Sequence, residues 1–187
     1  MILTPDNEYA ALLDACALVP MPLCDTLLRL AEEPALYRPL WSDTILGEVQ
    51  RVLKERLRLT QDQAERRIRV MRGAFPEALV HVPQGFAEGI HGIDEKDRHV
   101  VGAAVLGKAN AIVTLNEKDF PVDRLREYGI LLHTPNSFLV HQFHLNPHVI
   151  LEKLDAQAAA RHKERGDLVQ LLRPVAPEFA DLVERGL

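Results

Sequence analysis

Four acidic stations carry residue types and spacings that suit metal-assisted chemistry on a phosphate ester. They are Asp14, Glu48, the pair Asp94/Asp97, and Asp119, which follows Asn116. Carboxylates cost free energy to bury, and like charges add to that cost, so four gathered at one place need a compensating cation. A divalent metal set to hydrolyse a phosphate ester is the chemistry such a gathering would serve. Each station sits where an apolar element ends or turns an edge outward. Asp14 closes the run Ala10-Ala11-Leu12-Leu13, and Asp97 opens the run from Val100 to Leu106. Glu48 lies on an amphipathic stretch, and Asp119 follows Ala111-Ile112-Val113-Thr114.

The elements that must position these acids are legible as short apolar runs alternating with helical patterns. Strands are expected at 10–13, 79–82, 111–114 and 130–132, with an extended piece at 37–41. Helices are expected at 22–32, at 43–57 behind Ser42, at 60–73 behind Thr60, at 94–108 and at 136–144. The strands are continuous apolar runs, which is the pattern of a parallel sheet covered on both faces. The expected fold is therefore a three-layer α/β/α sandwich. At 187 residues with 47% hydrophobic composition, the chain holds one full domain and a small appendage. Pro147 marks the change: 149–165, 167–172 and 177–185 are helical in pattern, punctuated by Gly166 and Pro174. The expected division is 1–145 and a helical extension over 146–187.

In an open parallel sheet, ligands bind outside the carboxyl ends of the strands, where the strand order reverses. Asp14 follows the first strand, and Asn116 and Asp119 follow the strand at 111–114. If those strands are neighbours, the three residues share a crevice. Ile45, Leu46, Val49, Val52 and Leu53 form one helical arc, with Glu48 at its boundary. Asp97 shares a face with Val100, Val101 and Ala104. Asp94, one turn earlier, reads as a helix N-cap. Each acid also has an ordinary alternative when taken singly: Asp14 as a loop cap, Glu48 as a half-exposed helix residue.

The net charge of −5 and pI near 5.9 exclude a protein whose affinity rests on a large basic surface. A local patch remains. Residues 51–72 carry eight basic and three acidic side chains. Arg51, Lys54 and Arg58 there, with Arg98 and His99 beside Asp97, are the candidates for contacting a phosphate backbone. The alternatives are a solvated helix face and an Arg98–Asp94 pair at i−4. Aromatics are sparse in the patch, so nothing in it supports base stacking. Two cysteines, Cys16 and Cys24, make no disulfide framework and are expected reduced and buried. The stretch 9–24 contains Asp14 and two prolines and lacks a basic leader, so neither a membrane span nor a secretory signal is expected. A cytoplasmic location follows. His141, His144 and His148 fall at i, i+3 and i+7; Pro147 interrupts the helix, and surface or interface histidines are the expectation.

Four stretches resemble the PIN-domain nucleases, and among them the toxin ribonucleases of VapBC-type toxin–antitoxin modules. They are Leu12-Leu13-Asp14-Ala15-Cys16-Ala17-Leu18, Ile45-Leu46-Gly47-Glu48-Val49, Asp94-Glu95-Lys96-Asp97-Arg98-His99-Val100, and Val113-Thr114-Leu115-Asn116-Glu117-Lys118-Asp119-Phe120. With the elements between them they cover about residues 8–140. The helices after Asn146 look like the extension of one subgroup. The resemblance implies a five-stranded sheet ordered 3-2-1-4-5. It implies a Mg²⁺ or Mn²⁺ site built from Asp14, Glu48, Asp97 and Asp119, with Asn116, Thr114 and Asp94 as auxiliaries. It also implies an RNA substrate and a small antitoxin partner, and leaves a homodimer open. Many members of the family carry an acid at the place of Asn116, which offers an oxygen but no charge. A catalytically weak PIN module that binds RNA or serves assembly is the rival reading. A third reading, a phosphotransfer domain with Asp14 as phosphoacceptor, lacks the Asp-x-Asp arrangement, since Cys16 holds the second place.

Overall fold

The computed structural model describes residues 9–186; residues 1–8 and Leu187, which the expected division includes, lie outside the described residues. Five parallel strands make one sheet: β1 (Ala10–Leu13), β2 (Arg38–Ser42), β3 (Leu79–Val80), β4 (Ala111–Val113) and β5 (Leu131–His133). Their order is β3-β2-β1-β4-β5, as the resemblance implied. All four residues of β1 are fully buried, because β1 is central and helices cover both its faces. Register pairs Leu12 with Leu40 on one side and Ile112 on the other.

The helices of the sandwich are α1 (Ala15–Leu18), α2 (Met21–Ala31), α3 (Asp43–Glu55), α4 (Gln61–Ala74), α5 (Arg98–Leu106), α6 (Val122–Glu127) and α7 (Pro135–Leu145). The expected caps are in place. Ser42 Oγ accepts from Ile45 N, and Thr60 closes a capping box with Gln63. Such caps each contribute about 1 kcal/mol. Gly107 ends α5 at a close approach to the sheet: a Cβ there would lie 2.8 Å from Val80 Cγ2 and 3.0 Å from Leu40 Cδ1.

Three expectations need correction. The helix expected over 94–108 is two pieces, a 3₁₀ turn at Glu95–Asp97 and then α5. Asp97 therefore stands at the junction and not inside a helix. Gly166 does not separate two helices, because it lies in the first turn of α9 (Arg165–Leu172), after α8 (Pro147–Ala159). The break falls at 160–164, where His162 has a left-handed backbone. Cys16 and Cys24 are both free thiols, but only Cys24 is fully buried.

The C-terminal helices α8, α9 and α10 (Pro177–Arg185) join the same core. Ile150, Leu154, Leu168, Leu172, Phe179 and Val183 are buried in the cluster that also holds the sheet. Gln157 of α8 is fully buried, accepting from Thr26 Oγ1 at 2.9 Å and donating to Pro22 O at 3.0 Å. No helix among the described residues is long and apolar enough to cross a membrane.

Candidate active site

Asp14 is where the switch-point argument put it. It follows β1 directly, and its neighbour strand β4 delivers Thr114 beside it. Asp14 Oδ1 accepts from Ala15 N at 2.7 Å, so it also starts the short helix α1. Oδ2 accepts from Thr114 Oγ1 at 2.7 Å and from Cys16 Sγ at 3.1 Å. Thr114 is fully buried, and its hydroxyl accepts from Asn116 N at 3.0 Å. It is thus committed to the carboxylate and is shut off from a phosphate. Leu115 N donates to Cys16 Sγ at 3.1 Å. Cys16 and Thr114 together tie the turn after β1 to the turn after β4.

Asp97 comes to the same place from the other side. Gly92, with φ +75°, turns the loop that leads to it; a Cβ there would collide with the Arg124 side chain. Asp97 Oδ2 is buried without a hydrogen-bond partner. Burial pushes its carboxyl above the usual range; Lys96 opposes this, and Asp119, Asp14 and Asp94 add to it. Those contributions place Asp14, Asp97, Asp119 and Asp94 in one electrostatic field. Lys96 Nζ lies 3.0 Å from Asp119 Oδ2 and 3.6 Å from Asp97 Oδ2.

Glu48, half-exposed on α3, pairs with His99 on α5: His99 Nε2 lies 3.2 Å from Glu48 Oε1. Burial alone would lower the proton affinity of His99, but the Glu48 bond and the charges of Glu48, Asp14 and Asp97 raise it overall. Glu48 therefore belongs to the same acidic region through His99.

Other candidates fare differently. Asp94 stands at the N-cap position of the 3₁₀ turn, yet its side chain makes no cap bond. Arg98 does not pair with Asp94. Its Nε donates to Ile93 O at 3.2 Å, bracing the loop before α5. Asn116 is exposed, at the start of the 3₁₀ turn that carries Asp119. Arg51 pairs with Glu55, and Lys54 donates to Gln61 Oε1 at 2.7 Å. A helix after a parallel strand starts at the strand's carboxyl edge and runs away from it. Arg58, beyond the far end of α3, is remote from that edge. Arg72, late in α4, returns to it and pairs with Asp43 at the start of α3. Arg67 donates to Val19 O at 3.1 Å and to Leu18 O, capping α1 next to Asp14.

Sequence reasoning overlooked Cys16 as a partner of Asp14 and Lys96 as a bridge. The signals were a thiol two residues after Asp14 and a lysine just before Asp97. His99 was expected to face phosphate and faces Glu48 instead. Of the histidine series, His141 stacks on His133 at 5.9 Å between ring centroids, while His144 and His148 are exposed.

A divalent ion suits what is present. The donors are hard oxygens, and Asp97 Oδ2 is a buried acceptor with no hydrogen bond, faced only by the Lys96 ammonium at 3.6 Å. Among the described residues, no three His, Cys, Asp or Glu side chains stand as a ready ligand set for one ion. Lys96 holds Asp97 and Asp119, and His99 holds Glu48, so the donors are engaged elsewhere.

A five-stranded parallel sheet in this order, with acids from three elements at its carboxyl edge, defines an α/β/α protein with an acidic cluster at the switch point. The PIN domain profile matches residues 10–118, more than half of the chain, and the chain belongs to the PIN-domain family. It is similar to a protein of Mycobacterium tuberculosis named "Putative ribonuclease VapC50", 38% identical over 94 residues. The match covers 48% of this chain and 55% of that relative, so the chain spans about half the length of the curated relative it matches.

Proposed function

We propose that the chain is a Mg²⁺- or Mn²⁺-dependent endoribonuclease that hydrolyses RNA phosphodiester bonds, and the toxin of a type II toxin–antitoxin pair acting in the cytoplasm. The observation that carries this reading is a PIN-family match over 10–118 that includes Asp14, Glu48 and Asp97, with Asp119 just beyond it tied to Asp97 through Lys96. The ribonuclease name of the relative supports the substrate class.

Asp14, Glu48, Asp97 and Asp119 would hold the ion. When bound, the metal polarises the phosphodiester and lowers the pKa of the attacking water. The chain's own groups do the rest. Thr114 and Cys16 fix the rotamer of Asp14, so that carboxylate needs little reorganisation. One carboxylate of the set would accept the proton of the attacking water. Arg69 and Arg72, both exposed on α4, are candidates for contact with an RNA backbone, Arg72 beside Asp43 at the start of α3. A basic side chain of an antitoxin entering the crevice would neutralise the same carboxylates and silence the site.

The test is RNA cleavage by the purified chain with Mg²⁺ or Mn²⁺ and with chelator. Cleavage should need the metal and vanish in Asp14→Asn; robust cleavage by that variant sinks the assignment. For the toxin role, growth arrest on expression should be relieved by the protein of the neighbouring reading frame. Asn116, a neutral amide exposed at the start of the turn that carries Asp119, adds an oxygen but no charge and favours a second reading: a weakly catalytic module that binds RNA. Wild-type chain that binds RNA without cutting it in saturating Mn²⁺ would decide for that reading.

A further inference from the structure

We infer that Lys96 is a built-in counter-cation that competes with the divalent ion for Asp97 and Asp119, so that Lys96 docking and ion entry exclude one another. This rests on the metal reading above and adds a residue to it. Asp97 and Asp119 come from different loops, one before α5 and one after β4. The Lys96 ammonium bridges them, 3.0 Å from Asp119 Oδ2 and 3.6 Å from Asp97 Oδ2. Its place is therefore between two of the carboxylates that would receive the ion. A divalent ion and an ammonium at that spot would repel one another at contact distance.

The three side chains differ in freedom. Asp97 is 18% exposed and Asp119 33%, whereas Lys96 is 61% exposed on a four-carbon stem. The carboxylates stay when the cation changes, and the lysine is the part able to swing out. Its charge offsets the repulsion that Asp97 feels from Asp119, Asp14 and Asp94. The same contact must be broken before both carboxylates can turn to a metal, so it sets a threshold of ion concentration for assembly of the site. Lys118 provides the contrast. It is exposed in the turn that carries Asp119 and makes no ion pair among the described residues.

The experiment is Mn²⁺ binding to the full chain, read by calorimetry and by the electron paramagnetic resonance of free Mn²⁺. The variants are Lys96→Met, Lys118→Met and Asp97→Asn. Releasing an exposed ion pair should tighten Mn²⁺ binding by Lys96→Met about two- to fivefold. Lys118→Met should stay close to wild type, because it changes the general field without breaking a contact. Lys96→Met binding no tighter than Lys118→Met, alongside weakened binding by Asp97→Asn, overturns the competition and leaves the metal reading standing. Undiminished binding by Asp97→Asn removes the metal reading, and the competition falls with it.

Discussion

Asp14 Oδ2 receives two donors, one oxygen and one sulfur, and they do different work. The Thr114 hydroxyl is buried and short at 2.7 Å, so losing it strands part of a carboxylate. Thr114→Val should cost about 1–3 kcal/mol in global stability, measured by denaturant unfolding, and should weaken Mn²⁺ binding. Cys16 also accepts from Leu115 N, so its sulfur joins the two turns. Burial pushes its thiol up to about 12, and the charge of Asp14 adds to this. Cys16 therefore stays a neutral donor at working pH. In the native chain it should resist iodoacetamide and react only on unfolding, as mass spectrometry would show; rapid native alkylation would mean the thiol is not held as described. Asn116→Asp tests the weak point of the site. An added charge beside Asp119 should tighten Mn²⁺ binding several-fold and lower the metal-free melting temperature through repulsion. Unchanged binding would place residue 116 outside the ion's reach.

At the scale of elements, β5 and α7 meet through a histidine pair. His133 and His141 stack at 5.9 Å with planes 15° apart, and Tyr9 approaches His141 edge-on. His133 Nδ1 lies 3.1 Å from Ser137 Oγ. Burial lowers the proton affinity of His133, and His141 lowers it further. The folded state thus binds the proton less well than the unfolded chain. The stability this pair contributes is full above the unfolded value of 6.5 and is lost as pH falls through the lower folded value. His99 and Asp97, whose proton affinities are raised, act in the opposite sense, so the quantity to compare is the difference: between about pH 7 and pH 5 the melting temperature of His133→Gln should fall less than that of the wild type. An identical slope in the variant would show that other groups titrate there. This joint matters to the site because His133 O accepts from Thr114 N at 3.0 Å.

The elements themselves were largely written in the sequence, and the reasons are particular. Ala10–Leu13 is apolar throughout because β1 is covered on both faces, and Ser42 and Thr60 mark helix starts by side-chain chemistry that acts within three residues. Helix α1 escaped notice because four residues between Asp14 and Val19-Pro20 show no period. The acidic stations were legible because carboxylates at element ends are costly. Their engagements were not, because the Lys96–Asp119 and Glu48–His99 pairs join residues far apart in sequence and no local period encodes them. The histidine pair was hidden for the same reason: His141 read as one of a helical series, while its partner came from β5.

For the whole molecule, the question is how the three C-terminal helices share the stability of the sheet. Helix α8 lies against α2, and its contact includes a buried polar joint. Gln157 accepts from Thr26 and donates to Pro22 O, with both side chains almost fully buried. Thr26 Oγ1 also lies 2.8 Å from Pro22 O, so hydroxyl, amide and carbonyl form one buried polar network. Around it, Asp25 binds Arg161 at 3.3 Å, and Lys153 donates to Glu32 O at 2.7 Å. Ile150 and Leu154 are buried in the same cluster as Leu27 and Leu30. A contiguous core of this kind should unfold as one unit. Gln157→Ala removes the side-chain amide and its packing, while the Thr26 hydroxyl keeps Pro22 O as its acceptor at 2.8 Å. It should lower stability by about 1–3 kcal/mol while the calorimetric transition stays single. Two separated transitions, or a loss confined to the helical signal of α8 to α10, would show that the extension is stable apart from the sheet. In that case the division near residue 146 would mark an independent unit, and the nuclease function could be sought in the first 145 residues alone.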